Sequence, residues 1–341
     1  MQSPFNGKKM SIHQEWRTLS YRKDEFEILS HTYKCDKTGE KFEDDLFAKL
    51  NYNQLLNQYR AKYSIPFPEE IISIRKKYDV SALKMSEILG FGPNTYRQYE
   101  NGEVPNQSNS RLIQLVDDPH EFKKLVDLCN TIDTRVKGKL YQKIELALDI
   151  QKKNKANSHL ENFLFETCLP NIYTGYKIPN LPKFAEMVVY FVEKLQPWKT
   201  ILNKLLFYAD FAMFKYSAYS ISGAQYRAIP LGPVPKNFEG IFDYLVRQDY
   251  FDIQYTTFSD GGTGEQFKLN SNRAFNSEMF TESELNVMEF IMERFKNVST
   301  NEIIKLSHKE KAWRENNKGH QIINYNYGFD IKQVGLNERL H

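Results

Sequence analysis

Cysteine is scarce in this chain: three in 341 residues, Cys35, Cys129 and Cys168. So wide a spacing excludes a disulfide framework. Glycine (16) and proline (13) are few beside 24 phenylalanines and 21 tyrosines, which excludes a fibrous or low-complexity chain. No apolar run reaches the roughly 18–20 residues that cross a bilayer, and the mean hydropathy is −0.60. The opening MQSPFNGKKM lacks the apolar core of a signal peptide. A cytoplasmic protein with no membrane partner is expected. A dominant charge is missing too, since 46 Lys+Arg oppose 43 Asp+Glu. Electrostatics alone therefore does not announce nucleic acid, and any such reading has to rest on a motif.

The hydrophobic content of 41% is enough for real cores, and the length predicts two or three domains. Residues 1–66 are polar and mixed, with a helical pattern over Asp44–Lys62. Residues 67–118 are compact and strongly patterned. Residues 119–159 read as a helical connector, on which Val136, Leu140, Ile144, Ala147 and Ile150 recur at helical spacing. That face predicts either packing on its own domain or a dimer seam, and QKKNKANS at 151–158 reads as a solvated end or linker. Residues 160–341 form the last segment, expected to fold with its own core. The fold class expected is mainly α with small β elements (α+β).

In PEEIISIRKKYDVSALKMSEILGFGPNTYRQYENGEVP, Pro68, Glu69 and Glu70 suit a helix start. Ile71, Ile72 and Ile74 give that helix its apolar side. Ser81 is placed as the N-cap of a second helix with Leu83, Ile88 and Leu89 inward, and Gly90 ends it. A third helix is expected from Pro93 to Tyr99 or Glu100, stopped by Gly102 and Pro105. It exposes Asn94, Thr95, Arg97 and Gln98, residue types that make bidentate bonds to adenine or guanine in the major groove. Arg75, Lys76, Lys77 and Lys84 are available for phosphates. From Pro66 to Val116 six basic side chains meet six acidic ones, so a three-helix domain that binds no DNA stands as the alternative. If DNA is bound, a homodimer sharing two half-sites is expected.

This segment resembles the Xre/Cro-type helix-turn-helix, specifically that of MqsA-type antitoxins, where a GxNxxxxYExG pattern closes the motif. Here it reads Gly92, Asn94, Tyr99, Glu100 and Gly102. The resemblance implies that Asn94 and Gln98 read bases of operator DNA; the family usually has Arg at the second place. MqsA-type antitoxins open with a zinc domain built on CPxCG and a second CxxC knuckle. This chain has Ser3-Pro4-Phe5-Asn6-Gly7 and Cys35-Asp36-Lys37-Thr38-Gly39, so only Cys35 keeps a metal-binding side chain. Structural zinc needs four N or S ligands. A ribbon-like N-terminal domain without metal is expected, or else an irregular arm over Met1–Lys34. His13 and His31 lie off the knuckle positions and are expected at the surface.

Further on, one stripe joins Phe184, Met187, Val188, Phe191 and Leu195. A second runs from Trp198 through Ile201, Leu202, Leu205, Tyr208 and Ala209 to Ala212. FDIQYTTF and GEQFKLN around SDGGT predict a hairpin, and Thr281…Glu284 and Ser299…Glu302 are capping boxes. No GxSxG, HExxH, Walker or Rossmann motif occurs, and His308 and Glu310 stand two residues apart, on different sides of a helix. No enzyme and no cofactor are expected. Asp210, inside FYADFAMF, needs hydrogen-bond partners if buried. It reads as an anchor for a turn or for Tyr226, with a binding role as the alternative.

Lys204–Asp210 (KLLFYAD), Tyr226, Gly232–Pro235 (GPVP) and Ser307, His308, Glu310, Ala312 and Trp313 (SHxExAW) together resemble the Panacea, or SocA-like, domain. The resemblance implies a predominantly helical domain with a small antiparallel sheet that binds and neutralises a co-encoded protein toxin. The toxin surface is expected around the GPVP loop: Tyr226, Arg227, Gly232, Pro233, Val234 and Lys236, with Asp210, His308 and Trp313 as further candidates. The alternative is that Gly232–Pro235 only redirects the chain. A ligand-responsive regulator and a proteolysis adaptor remain the other functional readings. Metal analysis of the purified chain is expected to find no stoichiometric zinc, with a melting temperature indifferent to chelators; about one zinc per chain would overturn this.

Overall fold

The computed structural model describes residue 7 and residues 9–165, 168–259, 261–270 and 272–335, with the backbone alone over 153–159. The fold is mainly α with small antiparallel sheets. Chain order opens with β1 (Met10–Tyr21), β2 (Asp24–Cys35), β3 (Lys41–Phe42) and α1 (Asp45–Tyr63). Next come α2 (Pro68–Lys77), α3 (Ala82–Ile88), α4 (Thr95–Glu100), α5 (Gln107–Leu115), α6 (Pro119–Leu128) and α7 (Thr134–Phe165). Then follow α8 (Leu181–Leu195), α9 (Lys199–Ser217), β4 (Tyr226–Ile229), β5 (Gly232–Pro235) and α10 (Phe238–Arg247). The chain closes with β6 (Phe251–Thr257), β7 (Thr263–Leu269), α11 (Glu282–Phe295), α12 (Thr300–His308) and α13 (Lys311–Arg314). Two compact units result: Met1–Gln58 with Phe163–His341 (unit 1), and Tyr59–Asn162 (unit 2). This division cuts across the four segments read from the sequence.

In unit 2 the helix starts are set by local chemistry. Pro68 opens α2, and the Glu70 carboxylate accepts the Phe67 N–H at 2.6 Å. The Ser81 hydroxyl caps α3 by accepting the Lys84 N–H, and Gly90 ends it at φ +69°. Helix α4 begins at Thr95, not Pro93, because Pro93 and Asn94 lie in the turn. Leu83, expected inward, is 55% exposed; Ala82, Met85, Ser86 and Ile88 hold the buried side of α3. Tyrosines lock the helices together. Tyr96 donates its hydroxyl to Ile71 O (2.8 Å), while Tyr78 donates to Val116 O (2.7 Å) and stacks on Phe122. Leu140, Ile144 and Ala147 of α7 are buried in this same core, so that stripe serves its own unit, while Ile150 is exposed. Residues 151–158 continue α7 as helix.

In unit 1, β1 and β2 form a hairpin paired through every residue from Met10↔Cys35 to Tyr21↔Asp24. It takes the place of the irregular arm. Cys35 is buried in the apolar core, and Cys35–Glu40 makes the β2–β3 turn with Gly39 at φ +72°. The first expected knuckle, residues 3–6, lies outside the described residues. His31 is not at the surface: it is fully buried beside Phe47 and Phe329, and burial lowers its pKa to about 4.

The far edge of β2 is closed by α1. Asn51 bonds both the N–H (2.8 Å) and C=O (2.9 Å) of His31. Gln54 does the same for Leu29, and Gln58 donates to Glu27 O. These amides recur at helical spacing and meet alternate residues of a strand. Met10, Tyr33, Phe47 and Leu50 share one core with Phe184, Phe191, Phe207 and Phe211. A fragment beginning at residue 160 therefore lacks one wall of that core. Lys183 ties α8 to α11 through both oxygens of buried Glu284 (2.7 and 2.8 Å), which also accepts the Thr281 N–H in the expected capping box.

Asn51→Ala would strand the buried N–H and C=O of His31. A loss of about 2–4 kcal/mol in urea unfolding is expected. Tryptophan fluorescence reads it cleanly, because Trp16, Trp198 and Trp313 all lie in unit 1. An unchanged midpoint would sink this account of the α1–β2 seam.

Candidate functional site

Helix α9 is enclosed on all sides: every residue from Leu202 to Lys215 is buried, where the sequence stripe predicted one inner face. Helices α8 and α11, strand β5 and the 3-10 turn Tyr325–Asp330 all pack on it. Its polar residues thus need partners inside the protein. Lys215 donates to Ile331 O and Val334 O at 2.5 and 2.7 Å.

Asp210 is the best satisfied. One oxygen accepts the N–H groups of Ile221 (2.8 Å) and Ser222 (2.9 Å), and the other accepts the hydroxyls of Ser222 (2.6 Å) and Tyr226 (2.7 Å). Burial raises the Asp210 pKa, and these four donors oppose it. Of the two roles open to it, the geometry matches the anchor, holding both the turn after α9 and Tyr226. Tyr325 closes the far side by stacking on Phe211 and donating to Ala224 O (2.7 Å).

Strand β4, positioned by Tyr226, pairs with β5 from Tyr226↔Pro235 to Ile229↔Gly232. The GPVP segment is therefore a buried strand and not a loop; the turn is Pro230–Leu231, whose Leu231 is 52% exposed. Gly232 has φ +102°, and a Cβ there would strike Ser307 Oγ and lie 2.7 Å from Lys204 Cε. Only glycine lets the hairpin lie this close to α9 and α12. The turn is clamped from outside. His308 Nε2 donates to Pro230 O (3.0 Å), Trp313 Nε1 donates to Ile229 O (2.8 Å), and the two rings stack at 3.7 Å. Glu310 points inward instead, fully buried, accepting the Lys332 N–H at 3.0 Å.

Of the nine candidates expected around the GPVP segment, Asp210, Tyr226, Gly232, Pro233 and Val234 are interior. Arg227, Lys236, His308 and Trp313 are partly exposed. All nine belong to unit 1. The other set lies in unit 2, where Asn94, Arg97 and Gln98 are exposed and Thr95 is half-buried. Asn94 is the N-cap residue of α4, yet its amide makes no capping bond. Arg75 is held by Glu100 (2.5 Å) and Val80 O, Lys77 by Asp117, and Lys84 by Glu87 (2.6 Å). Lys76 is exposed and makes no ion pair among the described residues.

Residues 202–314 match the family described as antitoxin SocA-like, Panacea domain. This Panacea match contains Lys204, Asp210, the whole β4–β5 hairpin and the His308–Trp313 clamp. It does not reach α8 or the β1–β2 hairpin, although both contribute to the same core. Neither the curated proteins nor the solved structures give a match.

Sequence reasoning missed a cavity of about 500 Å³ between the start of α9, the β6–β7 hairpin and the start of α12. Trp198, Phe258 and the Lys199–Glu265 ion pair (3.1 Å) line it, with Thr200, Ser299 and Thr300. The signal was Trp198, taken for an inward stripe position but half-buried in fact.

Lys204 was missed in another sense, as a motif residue with no role. It is 1% exposed, and burial lowers its pKa from 10.5 to about 7. Between those values the unfolded chain binds a proton that the folded chain does not. Stability therefore rises with pH across that window, by up to about 1.4 kcal/mol per unit, and is lost as the pH falls toward 7. Lys204→Met is expected to flatten this slope and to raise the melting temperature near neutrality. Thermal melts of both proteins from neutral to alkaline pH check it; an unaltered slope would refute the role of this amine.

Proposed function

We propose that this chain is the antitoxin of a toxin–antitoxin pair. Its Panacea domain binds and neutralises a co-encoded protein toxin, and α3–α4 of unit 2 binds the operator of its own operon as a homodimer. The observation that carries the reading is the Panacea match over residues 202–314, which holds every motif residue that builds and clamps the β4–β5 hairpin. The buried members, Asp210, Tyr226, Gly232, Pro233 and Val234, act as scaffold. The toxin meets the exposed surface they hold in place: Arg227, Leu231 and Lys236, with the edges of His308 and Trp313. Rigid support of this kind lowers the ordering cost of association. The reading includes no catalysis, cofactor or metal.

The DNA part rests on α4. An exposed Asn94 with an amide unused in capping, followed by exposed Arg97 and Gln98, suits base reading, and exposed Lys76 suits a phosphate. The likeness to MqsA-type antitoxins belongs to this proposal. Arg75, Lys77 and Lys84 already serve carboxylates, so each half-site gains few phosphate contacts and two are needed. The cavity beside Trp198 favours a second reading, a regulator whose unit 1 senses a small ligand.

Co-expression with the adjacent reading frame, scored by growth, tests the proposal. Wild-type chain is expected to rescue. Asn94→Ala should still rescue but lose operator discrimination by about 1–3 kcal/mol per half-site, whereas Lys76→Ala should weaken binding to all sequences alike. Arg227→Glu with Lys236→Glu should lose rescue at unchanged thermal stability and keep the operator shift. An adjacent product that is harmless alone would move the weight to the ligand-sensing regulator.

A further inference from the structure

Among the described residues, strand β1 is a long, open sheet edge. Its ladder with β2 runs unbroken over twelve residues, with no bulge, proline or glycine. Proteins commonly blunt an exposed edge with a bulge, a proline or a covering element, since unpaired N–H and C=O groups recruit another strand. This protein covers the opposite edge of the same sheet with care: β3 pairs Tyr33 and Lys34, then Asn51, Gln54 and Gln58 take over. From Ser11 to Ser20, no described residue bonds the outer backbone of β1.

The direction of those backbone groups follows from the ladder. His31 and Leu29 turn both their N–H and C=O to α1. Their cross-strand partners, Gln14 and Trp16, are therefore non-hydrogen-bonded pairs with β2 and turn theirs to the open side. By alternation Ile12 and Thr18 do the same. Trp16 is 58% exposed and Ile12 41% exposed.

We propose that β1 is the interface of a homodimer, in which two copies pair their β1 strands antiparallel about a two-fold axis at Trp16. The charges choose this register. With Trp16 opposite the partner's Trp16, Glu15 faces the partner's Arg17 on both sides of the axis, and Ser11–Tyr21 overlaps fully. Centring on Glu15 or on Arg17 sets like charges face to face, which destabilises a strand pair. Centring on Gln14 shortens the overlap to Met10–Thr18. In the favoured register Trp16 exchanges both backbone bonds with its copy, Gln14 pairs with Thr18, and β3-β2-β1 becomes one sheet continuous across the axis. A two-fold contact of this type uses one patch twice and closes on itself. The inference gives a surface to the homodimer proposed above and rests on that reading only for the dimer's role on DNA.

Sedimentation of the full chain at micromolar concentration tests it. Wild type is expected at twice 40.2 kDa. Glu15→Arg alone and Arg17→Glu alone should each weaken dimerisation by about tenfold or more, since each sets like charges opposite at two places. The double variant restores opposite charges across the axis and should return to near wild-type affinity. Hydrogen exchange gives an independent readout needing no substitution: the amides of Ile12, Gln14, Trp16 and Thr18 should gain protection as concentration rises, while those of Glu15 and Arg17 are protected throughout by β2. A dimer indifferent to both single reversals, with those amides unprotected, overturns the β1 interface and leaves the operator-bound homodimer standing on another surface. A chain that stays monomeric and binds the operator as a monomer overturns both.

Discussion

Asp210 places a carboxylate at zero exposure in the middle of unit 1, and much of that unit's layout follows from supplying it with donors. A buried carboxylate is tolerable only when hydrogen bonds replace its hydration. Two of its four donors are backbone N–H groups of Ile221 and Ser222, so the chain leaving α9 must double back at once. Ala218 makes that reversal at φ +58°, and Gly223 continues it at φ +75°, packed too closely on Ile178 and Pro179 for any Cβ. The third and fourth donors are hydroxyls, and that of Tyr226 fixes the first residue of β4. From Tyr226 the ladder sets Pro235, the Pro230–Leu231 turn falls between, and His308 and Trp313 grip it. The β4–β5 hairpin is thus the outer end of a chain of constraints that starts at one carboxylate.

Features governed by nearest neighbours were legible in the sequence. The Ser81 cap, the Gly90 stop, the Thr281–Glu284 box and the β6–β7 hairpin each depend on a few adjacent residues. The anchor role of Asp210 was legible as well, because the cost of burying a charge is known before the fold is. What stayed hidden depends on distant chain. Gly232–Pro235 reads as a turn by composition, but proline is accepted in β5 because the strand lies at the edge of a two-residue hairpin and is buried by α9. Leu83 looked like core because it is a leucine, but the helix turns Ala82, Met85 and Ser86 inward. The β1–β2 hairpin was hidden most completely. Its turn is Arg22–Lys23, without a glycine or asparagine, and its inner partners include Ser30, His31 and Thr32, so neither turn chemistry nor alternation marked it.

The same hairpin shows how polar residues organise this core. Helix α1 has little amphipathic character, since Asn51, Gln54 and Asn57 stand on its buried side beside Phe47, Leu50 and Leu55. Each amide answers a backbone group with no other partner among the described residues: those of His31 and Leu29 in β2, and the carbonyls of Ser217 and Ala218 at the end of α9. Helix α1 therefore works as a mixed surface, apolar toward Tyr33 and hydrogen-bonding toward strand and helix ends. This explains why the N-terminal residues belong to the C-terminal core although no apolar periodicity announced it.

Lys204 differs from the other two buried charged groups of α9, Asp210 and Lys215. Asp210 and Lys215 are fully answered, whereas among the described residues the Lys204 amine has no hydrogen-bond partner and no carboxylate beside it; burial alone accounts for its lowered pKa. Its chain runs under Gly232 and beside Ser307, so it packs against the hairpin from within while His308 and Trp313 hold it from outside. An apolar residue of similar length would fill this space without the desolvation cost. The stem of Lys204 thus supplies packing, and its head supplies a proton equilibrium near neutrality directly beneath the turn proposed to meet the toxin. Close to pH 7 that head is divided between charged and neutral forms, and an anionic group brought near the turn would draw it toward the charged one. The stability given up at this position lies where the hairpin is presented and not in the remote core, which is the distribution expected of a surface kept for binding.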